Sequence, residues 1–184
     1  MQQSGCVLQS KKWENEMSYA VSGKLSELVF VRLDKGQDLL QAIKDAAKEH
    51  DIKTGVVIDI TGSVTKARLQ KFPGKSHKAN VRIEVVEIEG PLEATGHGII
   101  GMTEGSGGIG EYKDGEPYVH VHMVVTSADQ TICGHLMPGT FVRSHLDVSH
   151  FTIVLAKAEG VSLKAAFQAT EDGKGRIYHD LQPA

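Results

Sequence analysis

Hydrophobic and polar positions alternate most regularly between Tyr118 and Leu136. Val119, Val121, Met123 and Val125 interleave with His120, His122, Val124 and Thr126; after the polar stretch Ser127-Ala128-Asp129-Gln130, Ile132, Gly134 and Leu136 interleave with Thr131, Cys133 and His135. Period-two runs on either side of a short polar break predict a β-hairpin. A two- or four-residue turn centred between Ala128 and Asp129 sets His122 opposite His135 and leaves one face apolar. A three-residue turn would shift the parity and send His135 to that apolar face.

The same reading predicts a strand over Leu28–Leu33, with Val29, Val31 and Leu33 on one side, ended by Asp34-Lys35-Gly36. From Gln37 to about Glu49 the period changes. Leu39, Leu40, Ile43, Ala46 and Ala47 form one stripe with Lys44, Asp45, Lys48 and Glu49 around it, the pattern of an amphipathic helix. Asp34 or Asp38 suits its positive end, and the apolar face of the hairpin is a candidate surface for its stripe. Further strands are expected over Gly55–Thr61, Val64–Phe72, Val81–Ile88 and Leu92–Ile100, with breaks at Gly62-Ser63 and Gly90-Pro91, and within Leu146–Lys157.

The stretch Gly101–Gly110 reads as a flexible loop that runs on to Pro117, and it is a candidate lid over the histidine face. No Gly-Lys-Ser/Thr follows its glycines, which argues against a phosphate loop. Met137-Pro138-Gly139 is a turn, and a longer crossing of the sheet is expected after it in preference to a second tight hairpin. The segment from Val161 is ambiguous, with a loop at Asp172–Gly175 and the remainder a candidate edge element. Residues 1–17 are polar and aperiodic, a flexible tail, and 18–184 are expected to form a single domain.

Composition narrows the function. The 184 residues suffice for one buried core, and with 5% aromatics that core must be aliphatic. Net charge is -3, which excludes nonspecific attraction to nucleic acid by overall charge; Lys71, Lys75 and Lys78 with His77 read as a basic loop, solubilising in the main, with a nucleic-acid or anion role as the lesser alternative. Cys6 and Cys133 make no disulfide framework, the first twelve residues lack a signal-peptide core, and no run is long enough to span a membrane, so a cytoplasmic protein is expected.

The candidate chemistry lies on the polar face of the hairpin. Neighbours two apart on a strand are roughly 7 Å apart and opposed residues about 5 Å apart, so the imidazoles of His120, His122 and His135 can converge on one cation. Neutral imidazole suits zinc or another divalent transition metal. The competing reading is three solvated histidines on a wet sheet face.

The order of these features resembles the PPC ("plants and prokaryotes conserved") domain. The matching pieces are Leu33-Asp34-Lys35-Gly36-Gln37-Asp38-Leu39-Leu40 leading into the helix, Gly55 to Gly62-Ser63-Val64, His120-Val121-His122, and Gly134-His135-Leu136 with Gly139, over roughly residues 28–157. The resemblance implies an α+β fold, a mainly antiparallel β-sheet packed against one principal helix, assembling as a homotrimer, with His120, His122 and His135 holding a metal ion, usually zinc. It also implies the DNA-binding role by which prokaryotic members are commonly described. Cys133 replaces a glycine and Asp147 a glutamate of the family pattern, and the loop around Gly105–Gly110 is longer. No Arg-Gly-Arg-Pro of an AT-hook is present, which leaves direct DNA contact with little physical support.

Two functions follow from these residues. One is a trimeric metal-binding protein with a DNA-associated or regulatory role. The other is a metal-dependent enzyme or small-ligand binder that uses the coordination position three histidines leave open, with Glu104, Glu111 or Glu116 as candidate general base and Cys133 lining the pocket. His97, His145, Asp147 and His150 have no assigned role.

Overall fold

The computed structural model describes residues 20–72, 84–105, 113–144, 150–169 and 177–184. Their elements are β1 (Lys24–Arg32), α1 (Leu39–Glu49), β2 (Gly55–Lys71), β3 (Glu84–Glu104), β4 (Pro117–Thr126), β5 (Thr131–Leu136), β6 (Phe141–Val142), β7 (Thr152–Glu159), β8 (Leu163–Ala169) and β9 (Ile177–Pro183). All the strands join one sheet, mostly antiparallel, with one helix; the fold is more strand-dominated than "α+β" conveys. The tail expected over 1–17 lies outside the described residues. Among the described residues no helix is long and apolar enough to cross a membrane.

Two long strands organise the sheet. β2 pairs with β3 along nearly its whole length, from Gly55 opposite Ile100 to Lys71 opposite Glu84. The other edge of β2 is covered in succession by β7, β6 and β5. β5 pairs with β4 and β4 with β3, so β2, β3, β4 and β5 form a closed path of backbone hydrogen bonding. β1 extends the sheet beyond β7, and β8, with β9 beside it, continues it parallel to the end of β3.

The strands expected on either side of Gly62-Ser63 are one strand, and so are those on either side of Gly90-Pro91. These glycines mark close backbone approach instead of a break. A Cβ at Gly62, where φ is +154°, would lie 2.6 Å from the Phe151 ring and 2.7 Å from the His150 carbonyl; one at Gly90 would lie 2.5 Å from the Val64 carbonyl. The ladder shifts register between Val64 and Lys66, the place where Gly90-Pro91 passes. Gly101–Glu104 likewise belong to β3, and Gly101 packs against Leu163 and Leu181. The rest of the expected glycine loop, residues 106–112, lies outside the described residues. So do the ends of two other predicted features, residues 81–83 and residues 146–149, and the whole of the Asp172–Gly175 loop. The ambiguous segment after Val161 forms the β8–β9 pair at a sheet edge.

The helix forms as its stripe requires: Leu39, Leu40, Ile43, Ala46 and Ala47 are all buried, and the helix packs on β4. Burial of each large apolar side chain contributes about 1.5–3 kcal/mol, which exceeds the intrinsic preferences of an eleven-residue helix. It begins at Leu39, because Asp38 is the N-cap; its carboxylate accepts a hydrogen bond from Gln41 N at 3.0 Å. The other oxygen of Asp38 accepts from Gly139 N at 2.6 Å. Leu39 N donates to Thr140 O, and Val142 N donates to Gln37 O. The start of α1 is therefore fastened to the turn that leaves β5, after which the chain runs on along the same edge of β2 as the two-residue β6, in place of the longer crossing of the sheet expected there.

Replacing Asp38 removes a cap and a charge-assisted hydrogen bond. Asp38→Ala is expected to cost roughly 2–4 kcal/mol and to lower the thermal midpoint by roughly 5–15 °C. A calorimetric midpoint within a degree of the parent would show that the helix start does not depend on this carboxylate.

Candidate metal centre

Burial along β4 and β5 alternates as the hairpin pattern demands. Val119, Val121, Met123 and Val125 are buried, and so are Gly134 and Leu136; His120 and His135 are half-buried, and His122 is exposed. Thr126 pairs with Thr131, so the turn is the four residues Ser127–Gln130, closed by Ser127 N donating to Gln130 O at 2.9 Å. His122 stands directly opposite His135. Had the turn held three residues, the imidazole of His135 would point to the core.

The three rings gather on the outer face. His120 and His122 stack with centroids 5.2 Å apart, and His135 stands edge-on to both, 4.8 Å from His120 and 5.6 Å from His122. One nitrogen from each ring lies within 4.8 Å of the others, an arrangement that could hold a metal ion. The buried Tyr118 ring lies edge-on to His120 at 6.4 Å. On its other edge β5 pairs with β2, which sets His135 opposite Gln70.

A cavity of about 320 Å³ opens beside the three histidines. Cys133 lines it, as its place two residues before His135 implies, and is an exposed free thiol. Gln70, Lys71 and Phe72 complete the wall with Gly134. Lys71 is thus the last residue of β2 and part of this cavity, where the sequence placed it in a solubilising loop; Lys75, Lys78 and His77 lie outside the described residues. The signal missed in the sequence is the pairing of β2 with β5, two segments far apart along the chain.

The glutamates considered as general bases do not line this cavity. Glu104 accepts from Lys164 Nζ at 3.0 Å and Glu116 from Lys48 Nζ at 3.2 Å. Glu116 is drawn to the helix side of the sheet, and Glu104 lies where β3 runs beside β8. Glu111, His145 and Asp147 lie outside the described residues. His97 stands opposite His122 in the β3–β4 ladder, exposed, yet belongs to neither the three-ring cluster nor the cavity wall. His150 is exposed at the start of the segment entering β7.

Farther along the same face of β2, the basic residues are committed to acids. Lys66 donates to Glu87 at 2.7 Å and lies 3.7 Å from Glu89, and Arg68 lies 3.3 Å from Glu87. The hydrogen bond from Lys66 holds the Glu87 carboxyl below its ordinary pKa, and the same bond raises that of Lys66.

Comparison with known proteins agrees with this architecture. The chain is 27% identical over 120 residues to the bifunctional protein GlmU of Synechococcus sp. (strain JA-2-3B'a(2-13)); the match takes in 64% of this chain but only 16% of that protein's length. Among solved structures, the metal-containing protein AF0104 from Archaeoglobus fulgidus superposes with a TM-score of 0.63 at 18% identity, covering 87% of this chain and 97% of that one. A plant- and prokaryote-conserved (PPC) protein from Pyrococcus horikoshii gives 0.62 at 20% identity, covering 89% and 98%. A protein of Ralstonia eutropha JMP134 named "putative DNA-binding protein" gives 0.57 at 16% identity, covering 84% and 89%. These structural likenesses establish a shared fold. The model of the Plants and Prokaryotes Conserved (PCC) domain matches residues 20–149, and the chain belongs to that family.

Proposed function

We propose that this chain is a metal-binding protein of the PPC family that acts as a homotrimer in a DNA-associated, regulatory role, with zinc or another divalent transition metal on His120, His122 and His135. The observation that carries the reading is the meeting of three imidazoles from two paired strands, with ligand nitrogens within 4.8 Å of one another. Four-coordinate zinc has bonds of about 2.0–2.1 Å to nitrogen, so side-chain adjustments on the order of an ångström would bring the set to a single ion. The metal-containing neighbour from Archaeoglobus fulgidus, similar in fold, is consistent with this use of the face. A divalent cation held by three imidazoles keeps a coordination position for an exogenous donor.

The trimer is the assembly expected of the family, and an apolar row on the outer face supports it. Leu28, Ala156, Val56 and Ile99 are successive cross-strand neighbours across β1, β7, β2 and β3, with Ala156 buried and Val56 half-buried between the exposed Leu28 and Ile99, and Ile99 stands opposite His120. Leu28 and Phe30 on β1 are 55% and 69% exposed and Ile99 is 43%, an apolar patch that a second copy would cover. Light scattering is expected to return three times the chain mass. The mass of one chain would remove this part of the reading.

The DNA-associated role rests on neighbours bearing that name and on family membership, and direct contact is the weakest link. Net charge is -3, and Lys66 and Arg68 are paired with acids. Gel-shift assays at about 50 and 200 mM salt, a range over which phosphate contacts lose most of their affinity, are expected to show no retarded band. A band at low salt that vanishes at high salt would reinstate direct contact. The exposed thiol of Cys133 suits a reducing cytoplasm.

Small-ligand binding is the second reading, favoured by the cavity beside the histidines. The enzymatic version is weaker, because none of the described residues lining that cavity is a carboxylate that could serve as a base. Protein purified without added metal is expected to carry one transition-metal ion per chain by mass spectrometry. His122→Ala is expected to weaken affinity by more than the roughly 10–100-fold that follows loss of an outer-sphere partner. Equal metal content in the two proteins would reject the centre.

A further inference from the structure

We infer that the cavity beside the histidines takes a small organic carboxylate, whose anionic end meets the ammonium of Lys71 and the cation on the three imidazoles, and whose apolar part rests on the ring of Phe72. The inference rests on the metal-centre reading and adds to it the chemical class of the ligand.

The first argument is charge. Of the described residues in the cavity wall Lys71 is the one with a permanent charge, and none is an acid. Neutral imidazoles leave the charge of a divalent cation uncompensated, so the loaded centre and Lys71 together present a strongly positive pocket. Such a pocket binds an anion in preference to a neutral or cationic molecule. The other cations on this half of β2, Lys66 and Arg68, are held by Glu87 and Glu89, whereas Lys71 stands opposite Glu84 in the ladder and forms no ion pair among the described residues.

The second argument is size and polarity. About 320 Å³ is at the small end of ligand cavities, enough for a compact molecule. Phe72 is 69% exposed at its wall, a large apolar surface with no cover within the described chain. Among the described residues of the wall the side chains that can donate, besides the imidazoles and the Cys133 thiol, are those of Lys71 and Gln70. Among the described residues of the wall there is no arginine and no run of backbone amides at a helix start, the features that recognise the several oxygens of a phosphate. Two donors, a cation with an open position and an aromatic wall match a carboxylate carrying an apolar group.

The test uses the full chain loaded with Co²⁺, whose visible spectrum reports on its ligands, with benzoate and inorganic phosphate as probes. Cobalt retention is measured first; its absence would sink the metal centre and this inference with it. With cobalt retained, benzoate is expected to change the cobalt spectrum saturably and to bind at least about tenfold more tightly than phosphate. Lys71→Gln is expected to weaken benzoate by about tenfold or more, and Phe72→Ala by roughly fivefold. Lys113→Gln, at an exposed lysine outside the cavity, is expected to leave affinity unchanged. Retained cobalt with no response to benzoate, with affinity independent of Lys71, or with phosphate binding as tightly as benzoate would overturn the carboxylate assignment while leaving the metal centre standing.

Discussion

A six-residue strand closes the sheet. β5 pairs with β4 on one edge and with the end of β2 on the other, and without it the path from β2 through β3 and β4 would end in an open edge. Unpaired strand edges leave backbone donors and acceptors unsatisfied and invite pairing with other chains, so closure both satisfies the ladder and blunts that hazard. The same closure fixes His135. Its backbone is registered against His122 on one side and Gln70 on the other, and a slip of one residue would have to be paid on both edges at once. The position of the third imidazole is therefore a property of the sheet and not of its rotamer alone.

Period two is what made this site legible from the residues. The alternation of β4 and β5 and a four-residue turn together determine which side chains share a face, and both can be read locally. The helix was legible for a similar reason: Leu39, Leu40, Ile43, Ala46 and Ala47 define a stripe that only one period satisfies, and all five are buried. Gly62-Ser63 and Gly90-Pro91 misled because glycine has two uses. It permits a turn, but it also lets two backbones approach where a Cβ would collide, and at these points the continuous pairing of β2 with β3 decides in favour of the second. No local pattern distinguishes the two.

Lys71 and Phe72 show the other limit. Nothing in their neighbourhood along the chain links them to histidines more than forty residues away; the link is the backbone pairing of Gln70 with His135. Glu104 and Glu116 illustrate the converse. Their place in the expected loop leading to His120 made them candidate bases, yet each is drawn to a lysine on another element, Lys164 of β8 and Lys48 of α1. Exposed pairs of this kind add little stability, but they decide where a flexible side chain spends its time. The acids thus sit with the lysines, and the described wall around the imidazoles is left without a negative charge.

That separation bears on what the centre can do. The closed sheet sets the backbones of all three histidines in paired strands, and under the proposed metal reading such preorganisation favours affinity. A catalytic centre would need, beyond this, a group able to accept or donate a proton to a bound molecule, and the described wall offers only Lys71, Gln70 and the Cys133 thiol besides the rings themselves. Among the described residues the recess has one lysine, one aromatic side and no carboxylate, the features on which the anion proposal rests. Asp38 fastens the start of α1 to the turn that leaves β5, so the strand that carries His135 and the helix on the opposite face share one anchoring carboxylate.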